Sequence, residues 1–134
     1  MELKPGDTAE ITRMVTDEDI HKFADLIGDD NSVHLDDEYA RRTRFGRRIA
    51  HGMLGASFVS TVLGTRLPGP GTIYLSQNFK FMNPVYPGDT LTARATVKAV
   101  RQDKPIVTLE TVCTNQRGET VLTGEAVVLV ENVS

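Results

Sequence analysis

Cysteine is almost missing from this chain: Cys113 is the only one among 134 residues. No internal disulfide can form, and a reducing compartment, the cytoplasm, is the expectation. No apolar run approaches the roughly 20 residues of a membrane-spanning helix, and Met1-Glu2-Leu3-Lys4 does not open like a signal peptide, so no membrane partner is expected. Positive charge is not in excess: 15 Lys and Arg face 18 Asp and Glu, a formal net charge of -3, which gives no basis for nonspecific nucleic-acid binding. Internal repeats, low-complexity stretches and linkers are missing. There is no Cys-x-x-Cys and no His/Cys/Asp set at metal-site spacing, so no metal is expected. Pro68-Gly69-Pro70-Gly71 breaks the chain and does not cradle phosphate. Ser57 and Ser60 lack the strand–elbow context of a hydrolase nucleophile.

What is present is ordinary globular composition, 40% hydrophobic and 25% charged. The length suffices for one core, and residues 1–134 read as a single domain. The chain is organised around Ala50 to Arg66. Its apolar residues Met53, Leu54, Ala56, Phe58, Val59, Val62 and Leu63 fall on almost every side, the pattern of a buried helix. Gly64 and the Pro-Gly stretch end it. Such a helix exposes its first amides, with their positive partial charge, only at its N-terminus, and Gly52 carries no side chain to shield them. That start suits a developing negative charge such as an enolate or thioester oxygen.

Before this helix, Lys4-Pro5-Gly6-Asp7 signals a turn within a short strand, Leu3 to Met14. Thr16 with Asp17, Glu18 and Asp19 reads as a helix cap with an acidic first turn, and Ile20, Phe23, Ala24 and Ile27 keep helical spacing up to Gly28. Gly28 to His34 reads as a polar loop. Asp36 to Arg44 reads as a short polar helix with Leu35, Tyr39 and Ala40 facing inward. After Gly71 come four strands, Thr72 to Met82, Thr90 to Gln102, Ile106 to Asn115 and Thr120 to Val130, with short connections that suggest an antiparallel meander. The fold class is therefore α+β: about five antiparallel strands wrapped around one central buried helix, the hotdog architecture. The outer strand edges of such a sheet invite pairing with a second copy, so a homodimer is expected.

Chemistry concentrates in two places. Asp29 and His34 stand five apart with Asn31 between them, and His51-Gly52 follows seventeen residues later. A carboxylate and an imidazole can hold one water, and the helix start facing them can hold a carbonyl oxygen. The set suits proton abstraction from water and addition across a double bond conjugated to a carbonyl. Asp and Asn in such loops also cap helices or stay solvated, and on spacing alone that reading stands beside the first. His21 reads as a surface residue, and His51 as a second base or, the favoured reading, a structural residue at the helix start. Arg41, Arg42, Arg44, Arg47 and Arg48 form the one basic cluster. They read as a solvated charged face or as a landing site for the phosphates of a ligand.

Asp29-Asp30-Asn31-Ser32-Val33-His34, then Ile49-Ala50-His51-Gly52-Met53-Leu54, then Phe81 to Leu91 and Thr123-Gly124-Glu125-Ala126, resemble in order the signature of the (R)-specific enoyl-CoA hydratases, the MaoC-like hotdog enzymes. The resemblance covers nearly the whole chain. One departure is Ser32, where the family often has proline. The resemblance implies that Asp29 and His34 are the catalytic pair, that Asn31 orients the loop and that the Gly52 amide binds the thioester oxygen. It implies hydration of trans-2-enoyl-CoA to (R)-3-hydroxyacyl-CoA, with the coenzyme A thioester as substrate and no cofactor. Ala56, Ser60 and Leu63 continue the helix face from Gly52 and read as acyl-chain contacts, closed by Val128 if the family alignment holds, or all four as plain core packing; on the first reading two small residues before a larger one imply a short-to-medium chain. Competing readings are a dehydratase acting on acyl-carrier-protein thioesters, a hotdog thioesterase, and a non-catalytic acyl-thioester-binding module. A thioesterase carboxylate would more naturally sit on the central helix, which has no Asp or Glu from Gly52 to Leu63.

Overall fold

The computed structural model describes residues 2–131. It is an α+β fold in which one antiparallel sheet curls over one long helix. The elements run β1 Thr8–Met14, α1 Asp17–Ile27, α2 Ser32–Leu35, α3 Asp37–Arg41, α4 Gly52–Thr65, β2 Thr72–Gln77, β3 Lys80–Phe81, β4 Thr90–Val100, β5 Ile106–Thr114 and β6 Thr120–Val130. The sheet order is β1-β4-β5-β6-β2, with β3 also pairing β6. The meander is thus three strands, β4 to β6. The strand expected to open it, β2, lies at the far side of β6 instead of beside β4. Strand alternation builds the core: Leu91, Ala93, Ala95 and Val97 of β4 and Val107, Leu109 and Cys113 of β5 point inward. Burial pushes the Cys113 thiol up to about 12, so it is no nucleophile at neutral pH.

α4 crosses this concave face, packing mainly on β4. Leu54, Gly55, Ala56, Phe58, Val59, Val62 and Leu63 are buried. Met53, Ser60, Thr61 and Gly64 are not, so the helix expected to be submerged on every side has one open stripe in the single chain. α1 keeps its expected limits. Thr16 and Asp19 form a reciprocal capping box, and Gly28 ends the helix in the left-handed conformation at φ 75°.

Three local expectations change. The polar loop after Gly28 contains a helical turn, α2, because the Asn31 side chain caps it by accepting from the Val33 amide at 3.2 Å. The next helix is only Asp37–Arg41; Ala40 faces inward, but Tyr39 is 45% exposed. The expected strand Thr72 to Met82 divides into β2 and β3. There Asn78 steps across β6: its amide donates to the Glu125 carbonyl at 3.1 Å, and its side-chain oxygen accepts from the Glu125 amide at 3.2 Å.

That step needs Gly124. A Cβ at Gly124 would stand 1.8 Å from the Asn78 carbonyl oxygen, a backbone atom with no room to yield. Gly124→Ala is expected to cost about 2 kcal/mol or more, read as a lowered urea midpoint. An unchanged midpoint would mean that the Asn78 crossing is not a fixed part of the fold.

Candidate active site

Three segments converge at the start of α4: the loop leaving α1, the turn α2, and the extended stretch Ile49–His51. The stretch is tied down on both sides, Ile49 N–H to the Val33 carbonyl at 3.2 Å and Ala50 N–H to the Val85 carbonyl at 2.7 Å. The loop is shaped by its own side chains, since the Asp29 carboxylate accepts from the Asn31 amide at 3.2 Å. Asn31 thus fixes both the loop and the turn that carries His34. Arg48 braces the same region by pairing with Asp17 and Asp37 and donating to the His34 carbonyl.

His34 is 8% exposed and His51 3%. Their rings stack, centroids 3.8 Å apart and planes 26° apart, and Phe23 packs edge-on against His51. His34 Nδ1–H donates to the Ile49 carbonyl at 2.8 Å. A carbonyl only accepts, so in the neutral ring Nε2 keeps the lone pair. His51 Nε2–H donates to the Asp29 carbonyl at 2.9 Å, leaving its Nδ1 buried and unpartnered. One oxygen or nitrogen from each of Asp29, His34 and His51 lies within 4.8 Å of the other two. A water making hydrogen bonds of about 2.8 Å to two such atoms spans a gap of roughly that size. The Asp29 side chain is exposed, so water has access.

The trio does not form a good metal centre. Imidazole planes only 26° apart at this separation meet roughly 7–8 Å from the rings. A shared ion would have to lie in both planes about 2 Å from each nitrogen.

His51 is also the N-cap of α4 and makes no side-chain capping bond, so the first amides, Gly52 foremost, are left open. Gly52 and His51 line a cavity of about 200 Å³ with Arg44, Phe81, Asn83 and Pro84 among its walls. Asp29 and His34 do not line it; they meet it through His51. Phe81 stands over Gly52, where an added Cβ would lie 3.0 Å from the ring. Sequence reasoning gave His51 a helix-start role and missed what its ring holds; the adjacency of His51 to Gly52 was the available signal.

The expected acyl wall is divided. Ala56 and Ser60 border an open groove with Met53, Ser57, Tyr74, Gln77 and Phe79. Leu63 and Val128 lie in the core, 1% and 0% exposed, and border neither the groove nor the cavity. Val128 is held in β6 between β2 and β5, and beside Leu63 the buried Leu67, Pro68 and Gly69 follow α4, with the Gly69 amide donating to the Leu63 carbonyl.

Comparison with known proteins agrees with this architecture. A family described as "MaoC like domain" matches residues 3–117. The chain is similar to the (R)-specific enoyl-CoA hydratase of Rhodospirillum rubrum, 48% identical over 129 residues that span 96% of this chain and 89% of that one. Its structure is similar to the (R)-hydratase of Aeromonas caviae involved in PHA biosynthesis, with TM-score 0.93, 45% identity, and 96% and 98% of the two chains covered. It is also similar to an unliganded R-hydratase of Pseudomonas aeruginosa, with TM-score 0.92, 42% identity, and 98% and 84% covered.

Burial lowers the His34 pKa from its ordinary 6.5, with the neighbouring His51 acting in the same direction; the Ile49 hydrogen bond and Asp29 oppose them. The native protein therefore favours neutral His34 more than the unfolded chain does. Below pH 6.5 the unfolded state takes up this proton first, so the contribution is full above 6.5 and is lost as pH falls. An NMR titration is expected to place the His34 midpoint below 6.5. A midpoint at or above that value would contradict the buried, neutral imidazole.

Proposed function

Because the chain belongs to the MaoC-like family, we propose that it is a hydro-lyase adding water to trans-2-enoyl-CoA to give (R)-3-hydroxyacyl-CoA. The observation that carries the reading is the meeting of the Asp29 carboxylate and the His34 imidazole beside an uncapped helix start whose first residue is glycine. In this reading a water donates one hydrogen to the free Nε2 of His34 and the other to Asp29. Asp29 takes its proton as the water oxygen bonds to the β-carbon. The carbon–carbon π electrons move toward the thioester, whose oxygen gains negative charge against the Gly52 N–H and the positive end of α4. The acid–base couple then returns one proton to the α-carbon, and the net change is one water added. Neutral His34 suits this because a protonated ring has no lone pair to accept with. Asn31 acts at one remove, by holding Asp29 and the turn of His34. No cofactor enters these steps.

A thioesterase is less well supported, because α4, Gly52–Thr65, contains no Asp or Glu. Dehydration of acyl-carrier-protein thioesters would use the same residues in reverse. We place the enzyme in the cytoplasm, supplying (R)-3-hydroxyacyl units of the kind polymerised into polyhydroxyalkanoate. No helix of the described residues is long and apolar enough to cross a membrane.

Loss of the enoyl-thioester absorbance of crotonyl-CoA, with chiral analysis of the product, tests the reaction. Asp29→Asn and His34→Ala are each expected to lower kcat by about 10²–10⁴-fold. Full activity in both variants, or an (S) product, would remove these roles.

The active form in this proposal is a homodimer. β2 is an edge strand with Ile73, Tyr74 and Leu75 exposed, and Met53, Phe81 and Met82 are also more than half exposed. Unpaired strand edges and clustered apolar surface favour association. Sedimentation is expected to give twice the 14.7 kDa chain mass, and Leu75→Glu to shift the protein toward monomer. A wild-type monomer at micromolar concentration would exclude the dimer.

A further inference from the structure

The structure divides the five arginines that the sequence groups together. Arg41 is paired with Glu38 on the outside of α3. Arg48 is held by Asp17 and Asp37 with its side chain 16% exposed. Arg42, Arg44 and Arg47 form no ion pair among the described residues. Arg44 and Arg47 border cavities. Arg44 lines the cavity that holds Gly52 and His51, and Arg47 lines a neighbouring pocket with Tyr86, Arg117 and Glu119. The two spaces share Asn83 and Pro84 as walls, so they adjoin near the start of α4.

Both free guanidiniums rest on aromatic rings, Arg47 4.0 Å from the Tyr86 centroid and Arg44 4.8 Å from that of Phe45. The two segments are tied together, since the Tyr86 hydroxyl donates to the Phe45 backbone carbonyl at 3.3 Å. Stacking on a ring orients a guanidinium without neutralising it, leaving its fork of donors for an anion. Arg117, on the same rim, is different: Glu119 at 2.9 Å and Asp89 at 3.3 Å already neutralise it. In a chain of net charge -3 this leaves a local pair of unneutralised cations near the uncapped start of α4.

We propose that Arg44 and Arg47 form a phosphate-binding subsite for the nucleotide end of coenzyme A, its diphosphate and 3′-phosphate. The thioester lies at Gly52 and the pantetheine arm runs over Asn83 and Pro84. The subsite deepens the hydratase reading and rests on it. It also gives the protein a reason to prefer coenzyme A, with three phosphoryl groups, over a carrier protein whose phosphopantetheine has one.

Calorimetry with free coenzyme A reads the subsite without turnover. The Arg44→Gln/Arg47→Gln double variant is expected to bind coenzyme A roughly tenfold or more weaker than wild type, with the difference shrinking as salt rises. Turnover then separates the two claims. The double variant is expected to raise KM for crotonyl-CoA by a similar factor with kcat within about twofold, since uniform binding alone is removed. Crotonyl-N-acetylcysteamine, which has no phosphate, is expected to lose far less of its kcat/KM in the double variant than crotonyl-CoA does, and an unchanged melting temperature certifies the fold of the variant. Equal coenzyme A affinity in wild type and variant overturns the subsite, even if hydration is found. Weakened coenzyme A binding with no hydration of either thioester supports the subsite and overturns the hydratase reading alone.

Discussion

The site depends on one side chain, the His51 imidazole. Its Nε2–H holds the backbone of Asp29, its face carries the ring of His34, and its own backbone opens α4 immediately before Gly52. Three elements distant in sequence are thereby set to one another by a single rigid ring. No protein group among the described residues bonds its Nδ1, so the ring is held through Nε2 and its two faces alone. A hydrophobic residue here would remove the one side-chain hydrogen bond to the Asp29 carbonyl and release the loop from the helix start.

The sheet gives the ring something to stand on. Ala50 is hydrogen-bonded to Val85, and the turn leading out of Val85 is tied back to β1 through Val15 and Asp89. α4 is fixed along the concave face by Leu54, Phe58, Val59 and Val62, all at or below 7% exposure. The mouth of the helix is therefore anchored to the core on one side and to the α1 and α2 loop on the other. Gly52 serves both ends of that requirement. It is small enough to leave its amide bare, and it leaves room for the Phe81 ring that stands over it.

Much of this was legible in the sequence wherever a local rule decides. The Thr16–Asp19 capping box, the Gly28 stop and the limits of β6 follow from caps, turn residues and alternation. The convergence of Asp29, His34 and the helix start was readable only through the ordered motifs, because nothing in their spacing brings a loop to a helix. What failed needed non-local information. β2 reads as the next strand of a meander, but its partner is chosen by the path over α4, which sets it beyond β6. The apolar count of α4 cannot tell a face covered by its own sheet from one left open. The arginines are identical in sequence terms, and only their carboxylate neighbours, Asp17 and Asp37 for Arg48 and Glu38 for Arg41, separate the structural from the free.

The open stripe of α4 and the divided acyl wall belong to the same problem. Ala56 and Ser60 face a groove whose other bank is Tyr74, Gln77 and Phe79, at the exposed edge of the sheet. Burial of apolar surface is worth about 0.8 kcal/mol per methylene, and only where water is excluded on all sides. In a single chain a hydrocarbon lying in this groove would keep one side wet and gain a fraction of that. A second copy paired at the β2 edge would cover this groove, and in the proposed dimer the apolar surface that favours association would then also complete the acyl wall. The chain-length limit would then be set by what the second copy places over Ser60, and not by Leu63 or Val128, which lie in the core and border no part of the groove.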